Sequence, residues 1–433
     1  MLEGLKRRLV QLRSFDYLKW IREHLEMRPE LRAIPYWVAA VAVGFIAVAY
    51  SSFFSNVIEQ AQAFASTHPY FYLAWGPLCF AVASSIVFNF APAAGGSGVS
   101  RVTQVIQLDT EKEKAAINAT LSLKVMFIII ASSIIATAGG SSLGREGPIV
   151  QIAACVFYFV GRQFSILWPY QEHRSWIIAG GAAGVAAAFN TPLAGIVFVL
   201  EELAQQHFHQ FKTVVISAVI IAGMVAQWLW GRYLFLGYPK IGPVGLSSVF
   251  HALIVGALCG LVAGGFEKAR SYFDIRLNRL FPSRRVLLAA FIGLIMAAIA
   301  VFFDVRTIGG GIGTIEELLL GGGVGTWTLL AGRFFGVILS SLSGCSGGLL
   351  APGLSMGALI GSLSAQYISP IDHNLFVMVG MAGFLSAITR APFTALVIVM
   401  EMTDRHSTIF PLMVASLVAL GFNRLIAGRR WVG

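Results

Sequence analysis

The chain has 433 residues, 57% hydrophobic and only 12% charged, with a net charge of +10. Soluble domains carry about 25% charged residues, so a mean hydropathy of +0.75 excludes a soluble protein and leaves an integral membrane one. The surplus Lys and Arg fall between apolar runs rather than in one patch, which excludes a nucleic-acid footprint.

Residues 1–32 carry Lys6, Arg7, Arg8, Arg13, Lys19, Arg22, Arg28 and Arg32. They predict an amphipathic helix over 4–26 that lies on the membrane surface; the charged leader is too long for a cleaved signal peptide. Apolar runs follow at 36–54 and 72–92, then a glycine-rich break, "AAGGSGVSRV", with Gly96, Ser97 and Gly98. The run 123–138 leads to a second break, "GREGP", from Gly144 to Pro148. Runs at 149–168 and 176–200 come next, the latter closed by Glu201 and Glu202. His207 and His209 sit in a polar stretch and read as a solvated loop. Runs at 213–231 and 249–265 precede the basic segment "EKARSYFDIRLNRLFPSRR" at 267–285. After 286–303 and 327–341 comes a third break, "GGLLAPG", from Gly347 to Gly353, and then runs at 349–368, 374–400 and 409–427. Several runs reach the roughly 20 residues that a span needs. Cytoplasmic loops carry the excess of Lys and Arg, which places 1–32, 267–285 and the tail with Arg424, Arg429 and Arg430 inside, both termini included. Cys79, Cys155, Cys259 and Cys345 have no ligand-like spacing and read as small packed side chains; no metal or cofactor is expected, nor a soluble regulatory domain.

The sequence matches itself at long period. "GGAAGVAAAFNTPLAGIVFVLEE" from Gly180 and "GMAGFLSAITRAPFTALVIVMEM" from Gly380 align at an offset of 200, pairing Pro192 with Pro392 and Glu201 with Glu401. "GGSSLGREGP" from Gly139 and "SGCSGGLLAP" from Ser343 align at 204. Two halves with corresponding Gly/Pro-interrupted segments are the pointer to a transporter-type repeat, with the binding site where the interruptions meet. The halves are read as 33–210 and 211–433.

Proline is favoured at the first position of a helix, so Pro148 and Pro352 mark helix starts inside the membrane. A helix start exposes unpaired N–H groups and the positive end of its dipole, a ready anion site. Three such starts can hold a small anion through the Ser97 hydroxyl and backbone donors at Glu146, Gly147, Leu349 and Leu350, with Gly98 allowing close approach. A carboxylate placed there, Glu146, competes with the anion when ionised and leaves when protonated, so anion and proton binding are linked through one site. Arg145 reads as a structural or field-setting charge. Glu201 reads as a helix end meeting water; for Glu202 that reading and an inner proton entry both stand.

These motifs resemble the CLC family of chloride channels and chloride/proton antiporters, especially its bacterial members, over nearly the whole chain. "GSGVS" is similar to the family's GSGIP, "GREGP" is identical, and "GGLLAPGLSMGALIG" is similar to GGxFxPxLxxGA. The resemblance implies an all-α polytopic fold of two inverted-topology halves with many tilted or non-spanning helices. It also implies a homodimer in the bacterial inner membrane, not an enzyme, exchanging chloride for protons and accepting bromide. By position, Ser97 matches the chloride-coordinating serine and Glu146 the external gating glutamate. Leu349 and Leu350 match the amide donors, and Glu202 the internal proton-transfer glutamate of antiporters. Departures are Ser100 for a proline, Leu350 for a common phenylalanine, and no tyrosine after Tyr367, with Trp431 or Val432 nearest the expected position; that last departure leaves a passive or poorly coupled chloride channel as the alternative. A fluoride exporter fits the serine motif less well. A serine protease, suggested by "GGSG" at 95–98, needs a histidine base, and His251 is the nearest to a span.

Overall fold

The computed structural model describes residues 33–108, 113–164, 173–203, 212–231, 235–280 and 284–428. The expected surface helix over 4–26, His207, His209, Arg429, Arg430, Trp431 and Val432 lie outside the described residues. Within them the chain is almost wholly helical. The first half contains α1 (Ile34–Thr67), α2 (Pro69–Phe90), α3 (Gly98–Ile106), α4 (Lys114–Thr120), α5 (Leu123–Ala138), α6 (Glu146–Phe164), α7 (His173–Phe189) and α8 (Pro192–Phe198), the last running into a π turn, Val199–Leu203. The second contains α9 (Lys212–Trp230), α10 (Leu246–Leu280), α11 (Arg285–Phe302), α12 (Ile312–Leu319), α13 (Trp327–Leu342), α14 (Leu350–Ile368), α15 (His373–Thr389), α16 (Pro392–Thr403) and α17 (Ile409–Ala427). Seven segments are long and apolar enough to cross a membrane, while α7, α13, α15 and α16 are apolar but shorter.

Three readings change. The runs 176–200 and 374–400 are each two helices rather than one. Asn190 and Arg390 adopt left-handed backbone angles, φ 56° and 61°, and Pro192 and Pro392 open the next helix. The basic segment from 267 is helical as far as Leu280, so α10 carries its positive charge on its own last turns rather than on a loop. Pro148 and Pro352 stand third in α6 and α14, not first; their missing N–H costs nothing there either, because the whole first turn lacks intrahelical partners.

The pairs α6–α7 and α14–α15 are packed face to face at repeat-related positions. Small residues make this possible: an added Cβ on Gly180 would stand 2.7 Å from Ala154 Cα, and one on Gly184 2.8 Å from Val150 Cα. Backbones that touch in this way gain dispersion contacts along their length, which is what holds helices together where lipid removes the hydrophobic drive. The four cysteines are free and buried, as small packed side chains.

Candidate functional site

The three breaks meet. Gly96 donates its amide to Cys345 O (3.0 Å) and accepts from Gly347 N (3.3 Å). Gly144 and Gly348 exchange both backbone hydrogen bonds, at 2.9 and 2.8 Å. Two short bridges, Gly96 with Ser346 and Gly144 with Gly348, thus knit segments some 200 to 250 residues apart in the chain. Glycine permits this approach: a Cβ on Gly98 would run into the Gly147 carbonyl, and one on Gly147 would stand 2.7 Å from Gly348 Cα. The starts of α3, α6 and α14 therefore lie in mutual contact, with their unpaired N–H groups gathered in one region. Non-helical backbone at membrane depth is tolerated where protein encloses it, and here the enclosing protein is the other two breaks.

Ser97 is the N-cap of α3, yet its hydroxyl makes no capping bond. Leu349, the N-cap of α14, likewise has no side chain that could cap. Neither helix start is thus capped by its own N-cap side chain. The Ser97 segment is held from outside: Gln151 Nε2 donates to Ala93 O (3.1 Å), and the Ser346 hydroxyl donates to Ala94 O.

Glu146 opens α6 and is 1% exposed. Its carboxylate folds back against Gly144. Arg145 Nε lies 3.7 Å away, and the amides of Glu146 itself and of Ala351, in the first turn of α14, are directed at it. One oxygen, Oε2, has no full hydrogen bond. Arg145 is tied to α1 through Ser51 O (2.8 Å) and Ser55 Oγ (2.6 Å), with its guanidinium 5.6 Å from the centre of the Trp230 ring. The arginine is therefore a fixed charge.

A cavity of about 720 Å³ leads to this point, lined at its rim by Glu59, Glu316 and Glu317 and at its floor by Gly144, Glu146 and Asn190. Ser97 and Leu349 do not line it. Its wall is set by Arg333, which the sequence reading missed inside the run 327–341. Arg333 is fully buried and donates to Gly309 O (3.1 Å), Arg306 O and Thr314 Oγ1 (3.2 Å). Arg306 in turn clasps Asp304 (2.7 Å) and Glu317 (2.9 Å). Burial works against a charge on Asp304, but Arg306 outweighs it and holds that carboxyl below the usual carboxylate range. Arg333→Met should leave three acceptors unmatched at roughly 1 kcal/mol each. A loss of about 3 kcal/mol is expected, read as a lower Tm in detergent.

Glu202 stands elsewhere. It lies on the π turn after α8, about ten residues from Pro192, which opens that helix, and hence roughly 15 Å along it. It is half-buried and, among the described residues, its carboxyl makes no hydrogen bond. Glu201 is not simply a free helix end as read: it accepts from Phe393 N (3.1 Å) and Thr394 N (2.7 Å) at the start of α16. Glu401 accepts from Leu193 N (3.1 Å) and Ala194 N (2.9 Å) at the start of α8. Each helix is capped by the end of the other, so α8 and α16 run antiparallel, as inverted halves require. The 200-residue offset that pairs Glu201 with Glu401 was the available signal. His251 contacts Asp372 (4.0 Å) and Phe376, not Ser97, which removes the protease reading.

The family profile described as "Voltage gated chloride channel" matches residues 79–424. The chain is a member of this family, the CLC proteins. Among CLC relatives it is 33% identical over 359 residues to the H(+)/Cl(-) exchange transporter ClcA of Vibrio cholerae serotype O1, covering 79% of this chain and 74% of that one. It is 28% identical over 420 residues to ClcA of Klebsiella pneumoniae subsp. pneumoniae, covering 90% and 85%. The crystal structure of a slow cyanobacterial Cl-/H+ antiporter superposes with a TM-score of 0.79 at 23% identity, over 92% of this chain and 95% of that one. The CLC fold of inverted halves expected from the sequence is the fold found.

Proposed function

We propose that this CLC protein exchanges chloride for protons across a bacterial-type inner membrane, with the Glu146 cavity facing outward and both termini in the cytoplasm. One observation carries the reading: the Glu146 carboxylate is buried at the floor of the cavity, against the starts of α6 and α14 and next to that of α3. Ionised, it takes the place that chloride or bromide would fill, facing the amides that would otherwise serve the anion. Protonated, it loses the attraction of the helix dipoles and yields the place. The anion is then held by the Ser97 hydroxyl and by first-turn amides at Gly98, Gly147, Leu349 and Leu350. These are partial charges, strong enough to admit an ion and weak enough to release it. Glu202, on the far end of α8 from the cavity, receives the proton on the inner side. The Vibrio and Klebsiella relatives are named exchangers, which favours coupled exchange over a passive pore.

The protein works as a homodimer, with α8 and α16 on the shared face. These two helices carry the exposed Leu193 and Phe393, and Leu200 is exposed on the π turn that follows α8. A second subunit covers this apolar face.

The test is purified protein in liposomes with chloride efflux and proton uptake recorded together. An outward chloride gradient should drive protons inward against their own gradient. Chloride loss with no uphill proton movement would refute exchange.

A further inference from the structure

The mirror-related pair Glu201 and Glu401 is not used in the exchange scheme, yet each carboxylate is tied down through both of its oxygens. Both oxygens of Glu201 are occupied: Oε1 by Phe393 N, and Oε2 by Thr394 N (2.7 Å) and the Thr394 hydroxyl (2.8 Å). Both oxygens of Glu401 are occupied as well, by Leu193 N and Ala194 N. A carboxylate on the first turn of a helix is also favoured by the dipole. These three bonds tie the Glu201 side chain to the first turn of α16. The next residue, Glu202, has no such ties among the described residues, and it sits on the same π turn, Val199–Leu203. Consecutive residues on one helical turn leave it at a fixed angle to each other. Fixing the Glu201 side chain on α16 therefore fixes the direction in which Glu202 leaves α8.

We infer that Glu201 is a positioning residue for proton transfer: clamped on the start of α16, it aims Glu202 at the inner end of the proton route. Glu401 is its structural mirror at the other end of the same helix pair, bracing α8 without touching either proton-carrying acid. This assignment rests on the proposed role of Glu202, and the two can be told apart. Glu201→Gln replaces an acceptor-only group with one whose NH2 must face backbone donors, so at least one cap bond is lost.

The experiment measures proton and chloride flux together in liposomes for the wild type, Glu202→Gln, Glu201→Gln and Glu401→Gln. Glu202→Gln should lose proton flux and keep chloride flux; if it keeps the wild-type proton-to-chloride ratio, the reading of Glu202 fails and the positioning role falls with it. Given that loss, Glu201→Gln should lower the ratio severalfold. Glu401→Gln should leave the ratio unchanged, lowering both fluxes together if it lowers either. A merely structural brace would affect the two caps alike. A wild-type ratio in Glu201→Gln, or an equal fall in Glu401→Gln, overturns the assignment. Should Glu201→Gln not yield folded protein, Thr394→Val, which removes only the hydroxyl donor, takes its place. The expected direction is the same, and an unchanged ratio is fatal there too.

Discussion

Glu146→Gln protein in liposomes should let chloride run down its gradient while moving no protons above background, a fall in proton flux of at least about tenfold. Glutamine has nearly the shape of glutamate, so α6 and its neighbours need not rearrange. What changes is the chemistry of the end group. An ionised carboxylate at this position is held by the Arg145 guanidinium 3.7 Å away and by the amides of Glu146 and Ala351. An amide carries no charge, competes poorly with chloride for these donors, and cannot titrate. The anion path is then open at every pH, and the step that carried a proton into the site has no carrier. Chloride flux in this variant should also lose the pH dependence that the wild type shows. Uphill proton movement by Glu146→Gln would mean that another group shuttles the proton and that Glu146 is only a plug. Arg145→Gln offers a contrast. It removes the charge tied to Ser51 and Ser55 but leaves the titrating group, so proton coupling should survive at a reduced rate.

Much of this arrangement was legible from residue order, and the parts that were not share a cause. The three breaks, the Glu146 carboxylate and the repeat all show as local pattern: glycine where backbone must approach, proline where a helix opens, an acid where apolar sequence predicts none. What local pattern cannot give is pairing across the chain. Gly96 bonds to Cys345 and Gly347, some 250 residues later, and only the folded molecule says so. The same limit hid the caps. Glu201 has its partners 192 and 193 residues away, so from sequence it looks like any acid that ends an apolar helix. Arg333 was hidden for a different reason. One arginine within an apolar run reads as a residue at the membrane edge, whereas its three acceptors lie on the loop and helix start at 306–314. Buried charges are paired or hydrogen-bonded, and two of the three bonds that license Arg333 come from backbone carbonyls, which carry no sequence signature. The split of 176–200 into two helices was closer to hand. Its "NTP" and the repeat-related "RAP" both place a proline directly after a turn, and proline disfavours helical angles in the residue before it.

Gly98→Ala should reduce chloride flux by at least about tenfold in a protein that still assembles. The added methyl carbon would meet the Gly147 carbonyl and would lie 2.9 Å from Gln151 Cβ. Neither obstacle is the flexible end of a side chain. Relief therefore requires α3 to back away from α6, and overpacking of this kind costs about 1–3 kcal/mol. That cost lowers Tm modestly, but the geometric consequence is larger. Moving α3 separates the Ser97 hydroxyl and the Gly98 amide from the amide of Gly147, so an ion can no longer touch both helix starts at once. Electrostatic holding of an anion by partial charges falls steeply with distance, and each donor withdrawn weakens the site. Gly147→Ala attacks the same contact from the other side, with its Cβ 2.7 Å from Gly348 Cα, and should behave alike. Gly265→Ala is the control: it lies within α10 with open space around it. Alanine is favoured over glycine in a helix by about 1 kcal/mol, so that variant should gain stability and keep full flux. If Gly98→Ala and Gly147→Ala transport chloride as fast as Gly265→Ala, the converging helix starts are packing only, and the anion is bound somewhere else.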